Sequence, residues 1–246
     1  MNRRTAVRAI ATLGTAAVLA GGTATAATAA TGGGSAPARS AKTATPAAYV
    51  KYLGASHEEG AAQTLKEFKG LSTAKQQKYL DYLNDPKALK ALLTETSRPG
   101  AAARSTSLYK GDVVLEGKHT ATFRPDAVNG LAAKGKLSRG TWETTYTASQ
   151  KIFGITVTKL KVWVNYYTDG NLIRQVNFAD GAKRNFNAAV SISMSVPKAW
   201  QSGSYAHGSV NWEGSIIYKG FGIQIDKRQE VWANEYGYQG GYLKNI

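Results

Sequence analysis

The 246-residue chain contains no cysteine. That absence excludes a disulfide framework, a thiol nucleophile and any zinc or iron–sulfur site built on thiolates. Histidine is scarce: His57, His119 and His207 are the only 3. His57-Glu58-Glu59 lacks the second histidine that an H-E-x-x-H zinc motif requires; it reads instead as the acidic first turn of a helix. Asp169-Gly170-Asn171 begins like a calcium loop, but the remaining ligands are missing. There is no G-x-S-x-G nucleophile elbow and no glycine-rich phosphate loop. Ser204 and His207 are close in sequence, within a stretch that a hairpin turn explains. The sequence therefore offers no catalytic residue, no metal ligand set and no cofactor site. Acids are outnumbered, with 16 Asp+Glu against 31 Lys+Arg and a net charge of +15.

What is present begins with a targeting segment. Residues 1–30 carry Arg3, Arg4 and Arg8 and no acid, followed by an apolar stretch over 9–20. Ala24-Thr25-Ala26 and Ala27-Thr28-Ala29 supply cleavage sites of the A-x-A type, so a secretory signal peptide is expected. The stretch is too short and too rich in Ala and Thr to span a bilayer, which takes about 20 strongly apolar residues. No later run reaches that length, so no transmembrane segment is expected. Arg3-Arg4 lacks the rest of a twin-arginine motif, which favours the general secretory route. Loss of those three arginines from the 31 basic residues leaves 28 against 16 acids, a net of +12. The expected location is extracellular.

Three parts follow. Residues 31–45 are rich in Gly, Ala, Ser and Thr and read as a flexible linker. Residues 46–97 read as a small helical domain. Pro46 sits near a helix start, and Ala61, Leu65, Phe68 and Leu71 recur at helical spacing. Ser72 and Thr73 can cap a helix facing inward through Tyr79, Leu80 and Leu83. A further helix after Asn84-Asp85-Pro86 would bury Leu89, Leu92 and Leu93. Residues 98–107 (RPGAAARSTS) read as a linker and a protease-sensitive boundary.

Residues 108–246 read as an all-β domain. Period-two alternation is strongest over 186–196, where Phe186, Ala188, Val190, Ile192, Met194 and Val196 share one face. Leu160, Val162, Val164 and Tyr166 alternate likewise over 159–167, and Val210, Trp212, Ile216 and Tyr218 over 205–219. Phe221, Ile223 and Ile225 open the next strand. Asp169-Gly170 and Lys219-Gly220 are hairpin signals. Further strands are expected near 112–116, 119–124, 141–148, 152–158 and 172–178. The expected fold is α+β: a small helical bundle followed by an antiparallel sandwich, or barrel, of seven or eight strands. The Tyr- and Gly-rich stretch 235–242 reads as a final edge strand.

An antiparallel sheet can leave one face in water. Alternation assigns Lys159, Lys161, Trp163 and Tyr167 to such a face, together with Gln224, Arg228, Glu230 and Trp232, unless the helices cover it. Lys159, Lys161, Trp163, Tyr167, Arg228 and Trp232 are the expected ligand-binding residues, because tryptophan beside Lys or Arg suits sugar rings and anionic polymers. The expected function is a secreted, non-enzymatic binding module for a glycan, an anionic cell-wall polymer or another secreted protein. Nucleic acid is not the expected partner, since the 17 basic and 10 acidic residues of 108–246 are dispersed and an exported chain meets envelope polymers first. The alternative is a secreted hydrolase using two of Glu213, Asp226, Glu230 and Glu235, with the helical segment as a pro-region removed near Arg98–Arg104.

Overall fold

A computed structural model describes residues 40–85, 87, 88, 91, 104–126, 139–218 and 221–246, with backbone alone at 104, 215–218 and 221–225. The expected signal peptide, most of the expected linker, Leu89, Leu92, Leu93 and the expected Lys219-Gly220 turn lie outside the described residues.

The helical spacing in 46–83 becomes three helices: α1 (Pro46–Gly54), α2 (Ala61–Lys69) and α3 (Thr73–Leu83). Thr45 caps α1 by accepting from the Ala48 N–H, with Pro46 in the first turn, and Ser72 caps α3 by accepting from the Lys75 N–H. These side chains satisfy amides that a helix start leaves without partners. His57-Glu58-Glu59 does not form a first turn; it precedes α2, whose N-cap is Gly60 at φ 85°. The two carboxylates instead meet β structure: Glu58 accepts from the Asn185 N–H at 3.0 Å and Glu59 pairs with Arg184 at 3.4 Å.

Among the described residues, ten antiparallel strands follow, in two sheets of five. The first sheet is β1 (Arg104–Leu108), β2 (Val113–Pro125), β3 (Gly140–Ile152), β4 (Ile155–Thr168) and β5 (Ile173–Asn185), in that order. The second holds β6 (Val190–Met194), β7 (Lys198–Ser202), β8 (Tyr205–Tyr218), β9 (Phe221–Asn234) and β10 (Gly237–Asn245). Its order is β10-β9-β8-β6, with β7 paired to the other half of β8.

Several boundaries differ from the sequence reading. The stretches 112–116 and 119–124 are one strand, and 155–158 joins 159–167 in another, while Ile152 ends the strand before it. Phe153-Gly154 makes the β3–β4 turn with φ of 50° and 81°, the pair of positive values that suits the twist of a tight hairpin. The run 186–196 is broken: Asn185 and Asn187 bond nearby backbone through their side chains, which competes with the ladder. Part of the expected 98–107 linker is β1.

The helices form the expected small bundle, packed through Tyr49, Phe68 and Tyr79, but it does not close on a core of its own. Tyr49, Leu53, Phe68, Tyr79, Leu80 and Leu83 share one core with Val113, Leu115, Ile152, Ile155, Val157 and Phe186 of the β region. The second sheet covers the rest of the same inner face, where Tyr146, Leu160, Val162 and Val164 meet Val210, Trp212, Val231 and Leu243. Both outward faces of the sandwich are thereby left to the strands' alternate residues. No helix among the described residues is long and apolar enough to cross a membrane.

Candidate ligand-binding faces

The six residues expected to bind ligand do not share a face. Lys159, Lys161, Trp163 and Tyr167 lie on the outer side of β4 in the first sheet, because Leu160, Val162, Val164 and Tyr166 take its inner side. Arg228 and Trp232 lie on the outer side of β9 in the second sheet, since Gln229, Val231 and Ala233 are buried. Alternation separates inner from outer residues, but it does not say which sheet a strand joins. Trp163 and Trp232 are both half-buried and neither is beneath the helices.

On the first sheet, the Lys161 ammonium sits 4.6 Å from the centroid of the Trp163 ring. The Tyr167 hydroxyl donates to Asp126 at 2.7 Å and accepts from Arg139 at 3.2 Å. Lys159 is exposed.

The second sheet builds a more organised site. Register aligns Trp200, His207, Trp232 and Gly240 across β7, β8, β9 and β10, and the next row aligns Lys198, Ser209, Glu230 and Tyr242. One row further, Asn211 opposes Arg228 and Arg228 opposes Lys244. Because β6 and β7 share one edge of β8, the chain between them passes beside Asn211. Ser195 there pairs with Asn211 through N–H to carbonyl at 2.9 Å and through its hydroxyl at 3.0 Å. The result is a pocket of about 140 Å³ lined by Lys198, Arg228, Trp200, Ser195, Ser209 and Asn211, with Val196 at the rim.

The pocket's donors are held in place. The Arg228 Nε donates to the Asn211 amide oxygen at 3.3 Å. Trp200 stacks on the His207 ring at 4.9 Å and 10° while remaining 37% exposed. His207 Nδ1 lies 3.1 Å from one Glu230 oxygen, and the Tyr242 hydroxyl donates to the other. Burial, and after it the Glu230 carboxylate, push the Tyr242 phenol up, so Tyr242 keeps its proton. The Trp232 ring occupies the space over Gly240 where a Cβ would stand.

The arrangement can bind an anion, stack a ring and donate hydrogen bonds. Its lining holds two cations and no carboxylate. Glu213 and Asp226 face each other across β8 and β9 outside this lining, Glu230 is engaged by His207 and Tyr242, and Glu235 belongs to the β9–β10 turn. Ser204 lies in the β7–β8 turn rather than on the face that carries His207. Asp169, the start of the supposed calcium loop, closes the β4–β5 hairpin by accepting from the Asn171 and Leu172 amides and from Arg174.

Of the six expected residues, only Arg228 lines the pocket. His207, Ser209 and Asn211 were within reach, since they alternate with Val210 and Trp212 along β8. Trp200 and Lys198 were not, because a five-residue strand carries too little alternation to be read. No family model, curated protein or solved structure matches the chain.

Proposed function

We propose that the protein is a secreted, non-enzymatic binding module that holds an acidic glycan on the outer face of the second sheet. The observation that carries this reading is the pocket in which Lys198 and Arg228 stand beside the half-exposed Trp200 ring. A sugar ring presents an apolar C–H face to an indole, and its carboxylate or phosphate substituent meets the two cations. Hydrogen bonds to charged groups contribute about 1.5–3 kcal/mol each when their geometry is fixed. Arg228 is fixed by Asn211, and Trp200 by its stacking on His207. Ser195, Ser209 and Asn211 add neutral donors and acceptors that suit hydroxyl groups. The secretory signal read from residues 1–30 supports a partner met outside the cell, such as an acidic envelope polymer.

The test is binding of polygalacturonate, a linear polyuronate, measured by calorimetry at low salt. Trp200→Ala and the double variant Lys198→Ala/Arg228→Ala are each expected to weaken the second-sheet site at least tenfold, with an unchanged circular dichroism spectrum. Added salt is expected to weaken the intact protein as well, as charge screening requires. Unaltered affinity in both variants would sink the reading.

A further inference from the structure

We infer that the chain carries a second binding face for the same class of polymer on the opposite side of the sandwich, so that one molecule bridges two polymer chains. The inference rests on the function just proposed and adds valency to it.

The outer face of the first sheet repeats the chemistry of the second with different residues. Lys118, Thr147 and Lys161 stand in one register row across β2, β3 and β4. Thr120, Thr145, Trp163 and Asp180 form the adjoining row. On the other side of the lysine row, Lys159 opposes Ser149. Strands lie about 4.8 Å apart and alternate residues along a strand about 6.8 Å apart. Lys118, Lys159 and Lys161 therefore fall within roughly 12 Å of one another, a spacing suited to successive charges on a polyanion. Of the other cations on this face, Lys151 pairs with Glu116 at 2.9 Å and Arg184 with Glu59 at 3.4 Å, while Arg124 stands two rows beyond Trp163, opposite Thr141. Among the described residues, Lys118, Lys159 and Lys161 enter no ion pair, and Asp180 caps its own neighbour by accepting from the Gly181 N–H at 2.7 Å. Trp163 supplies the ring, with the Lys161 ammonium 4.6 Å from its centroid. This pairing of aromatic and cation parallels Trp200 with Lys198.

Among the described residues, only the α1–α2 loop reaches this face, at its β5 edge, where Glu59 meets Arg184. The helices pack on the inner side of the first sheet, through Val113, Leu115, Ile152 and Ile155. The two outward faces are separated by two sheet layers about 10 Å apart plus the side chains on each. A linear polymer lying flat on one of them does not reach the other, so simultaneous occupation joins separate chains. Such linkage raises retention on a polymer matrix without any new contact.

The experiment mixes the full chain with polygalacturonate and follows turbidity and binding stoichiometry together. Bivalence predicts a turbidity maximum at an intermediate ratio that clears in excess protein, with two sites per monomer. The variant Lys118→Glu/Lys161→Glu changes only solvent-facing charges. It is expected to bind at half the stoichiometry and to give no turbidity. Trp200→Ala/Arg228→Ala is expected to lose turbidity in the same way while the first-sheet site still binds. Sedimentation must show a monomer, because a dimer with one site per chain would also cross-link. Binding by the intact protein at one site without turbidity would overturn bivalence and leave the proposed function standing. Turbidity and stoichiometry unchanged in Lys118→Glu/Lys161→Glu would do the same. No binding by the intact protein would remove both.

Discussion

The inner face of the first sheet is covered by two unlike layers. The layer made by the second sheet approaches closely, and glycine makes that approach possible. A Cβ on Gly181 would stand 2.9 Å from Val210, and one on Gly241 would stand 2.6 Å from the Tyr146 ring. Its polar centre is neutral: the buried Gln229 amide donates to the Tyr146 and Leu160 carbonyls at 3.0 and 3.1 Å and accepts from the Trp212 indole at 2.8 Å. The layer made by the helices is thick and aromatic. Tyr49, Phe68 and Tyr79 pack with ring centroids 4.9 to 5.6 Å apart, and the Tyr49 hydroxyl donates to the Phe186 carbonyl at 3.0 Å. One layer holds by leaving out side chains and the other by supplying large ones. The helices are thus half of the covering of one sheet, which bears directly on their reading as a removable pro-region.

The largest expected effect follows from taking that half away. A chain beginning at residue 104 would expose Val113, Leu115, Ile152, Ile155, Val157 and Phe186, all of them buried beneath the helices. It is expected to lose its cooperative thermal transition and to bind a hydrophobic dye. A milder form of the same break is Phe68→Ala, which should cost about 3–5 kcal/mol in urea unfolding, as for other buried aromatics. Proteolytic nicking near Arg98–Arg104 should leave the fragments together in size-exclusion chromatography. A soluble, folded fragment from residue 104 onward would show that the helical layer is dispensable after all.

Overpacking should separate the two layers next. A Cβ at Gly208 would lie 2.9 Å from the Val164 Cβ, 3.0 Å from the Ala179 Cβ and 3.1 Å from the Trp163 carbonyl. These are backbone atoms and first side-chain carbons, which cannot swing aside. Gly208→Val is expected to lower stability by about 1–3 kcal/mol or more. Gly54, at the end of α1, has nothing within 4 Å of its Cβ position, so Gly54→Ala should be neutral or stabilise by up to about 1 kcal/mol. Equal effects from the two substitutions would dissolve the distinction between a layer built on close approach and one that is not.

Much of this architecture was legible in the residues, and the limits have physical causes. Alternation at Leu160, Val162, Val164 and Tyr166 and at Val210 and Trp212 gave the inner faces, because a half-buried strand leaves a period-two trace. The caps at Thr45 and Ser72 were visible as local chemistry, although only Ser72 was singled out. The Phe153-Gly154 turn was hidden, since phenylalanine at positive φ is not a turn signal. The break after Asn185 was hidden by chance alternation in its flanks: Phe186 is buried as expected, but against α1 and not between the sheets. The grouping of the binding residues on a single face failed for a deeper reason. Trp163 and Trp232 each belong on an outer face, as read, but which sheet a strand joins is set by pairing across the whole chain. The helices' choice of the inner face was equally beyond local pattern.

The smallest expected effect uses acid to tell the layers apart. Several polar contacts between the helices and the β region end on carboxylates, beside neutral ones such as the Tyr49 hydroxyl on the Phe186 carbonyl and the Asn187 amide on the Leu83 carbonyl. Lys78 and Tyr82 donate to Asp112 at 2.6 and 2.8 Å, Tyr109 donates to Asp85, the Asn185 amide donates to Glu58, and Arg184 pairs with Glu59. The hydrogen bond from Lys78, and then that from Tyr82, hold the Asp112 carboxyl below its ordinary value. A carboxylate depressed in the folded state stabilises fully above its unfolded pKa, and that stabilisation is lost as pH falls through the folded value. Contacts between the two sheets use Gln229, the Trp142 indole on the Glu235 carbonyl and the Tyr166 hydroxyl on the Asn234 carbonyl, none of which titrates in acid. The β4–β5 hairpin is a local exception: backbone amides of Asn171 and Leu172, and then Arg174, hold Asp169 down to about 2, so it yields only at lower pH. As pH falls from about 4, where an aspartate of the unfolded chain protonates, through the lower folded value of Asp112, amide exchange is therefore expected to rise in α1, α2 and α3 while β3, β4, β8 and β9 stay protected. Asp112→Asn should raise helix exchange at neutral pH and flatten its dependence on acid. If β8 and β9 lose protection at the same pH as the helices, the two layers melt as one, and the division between a carboxylate-latched layer and a neutral one does not hold.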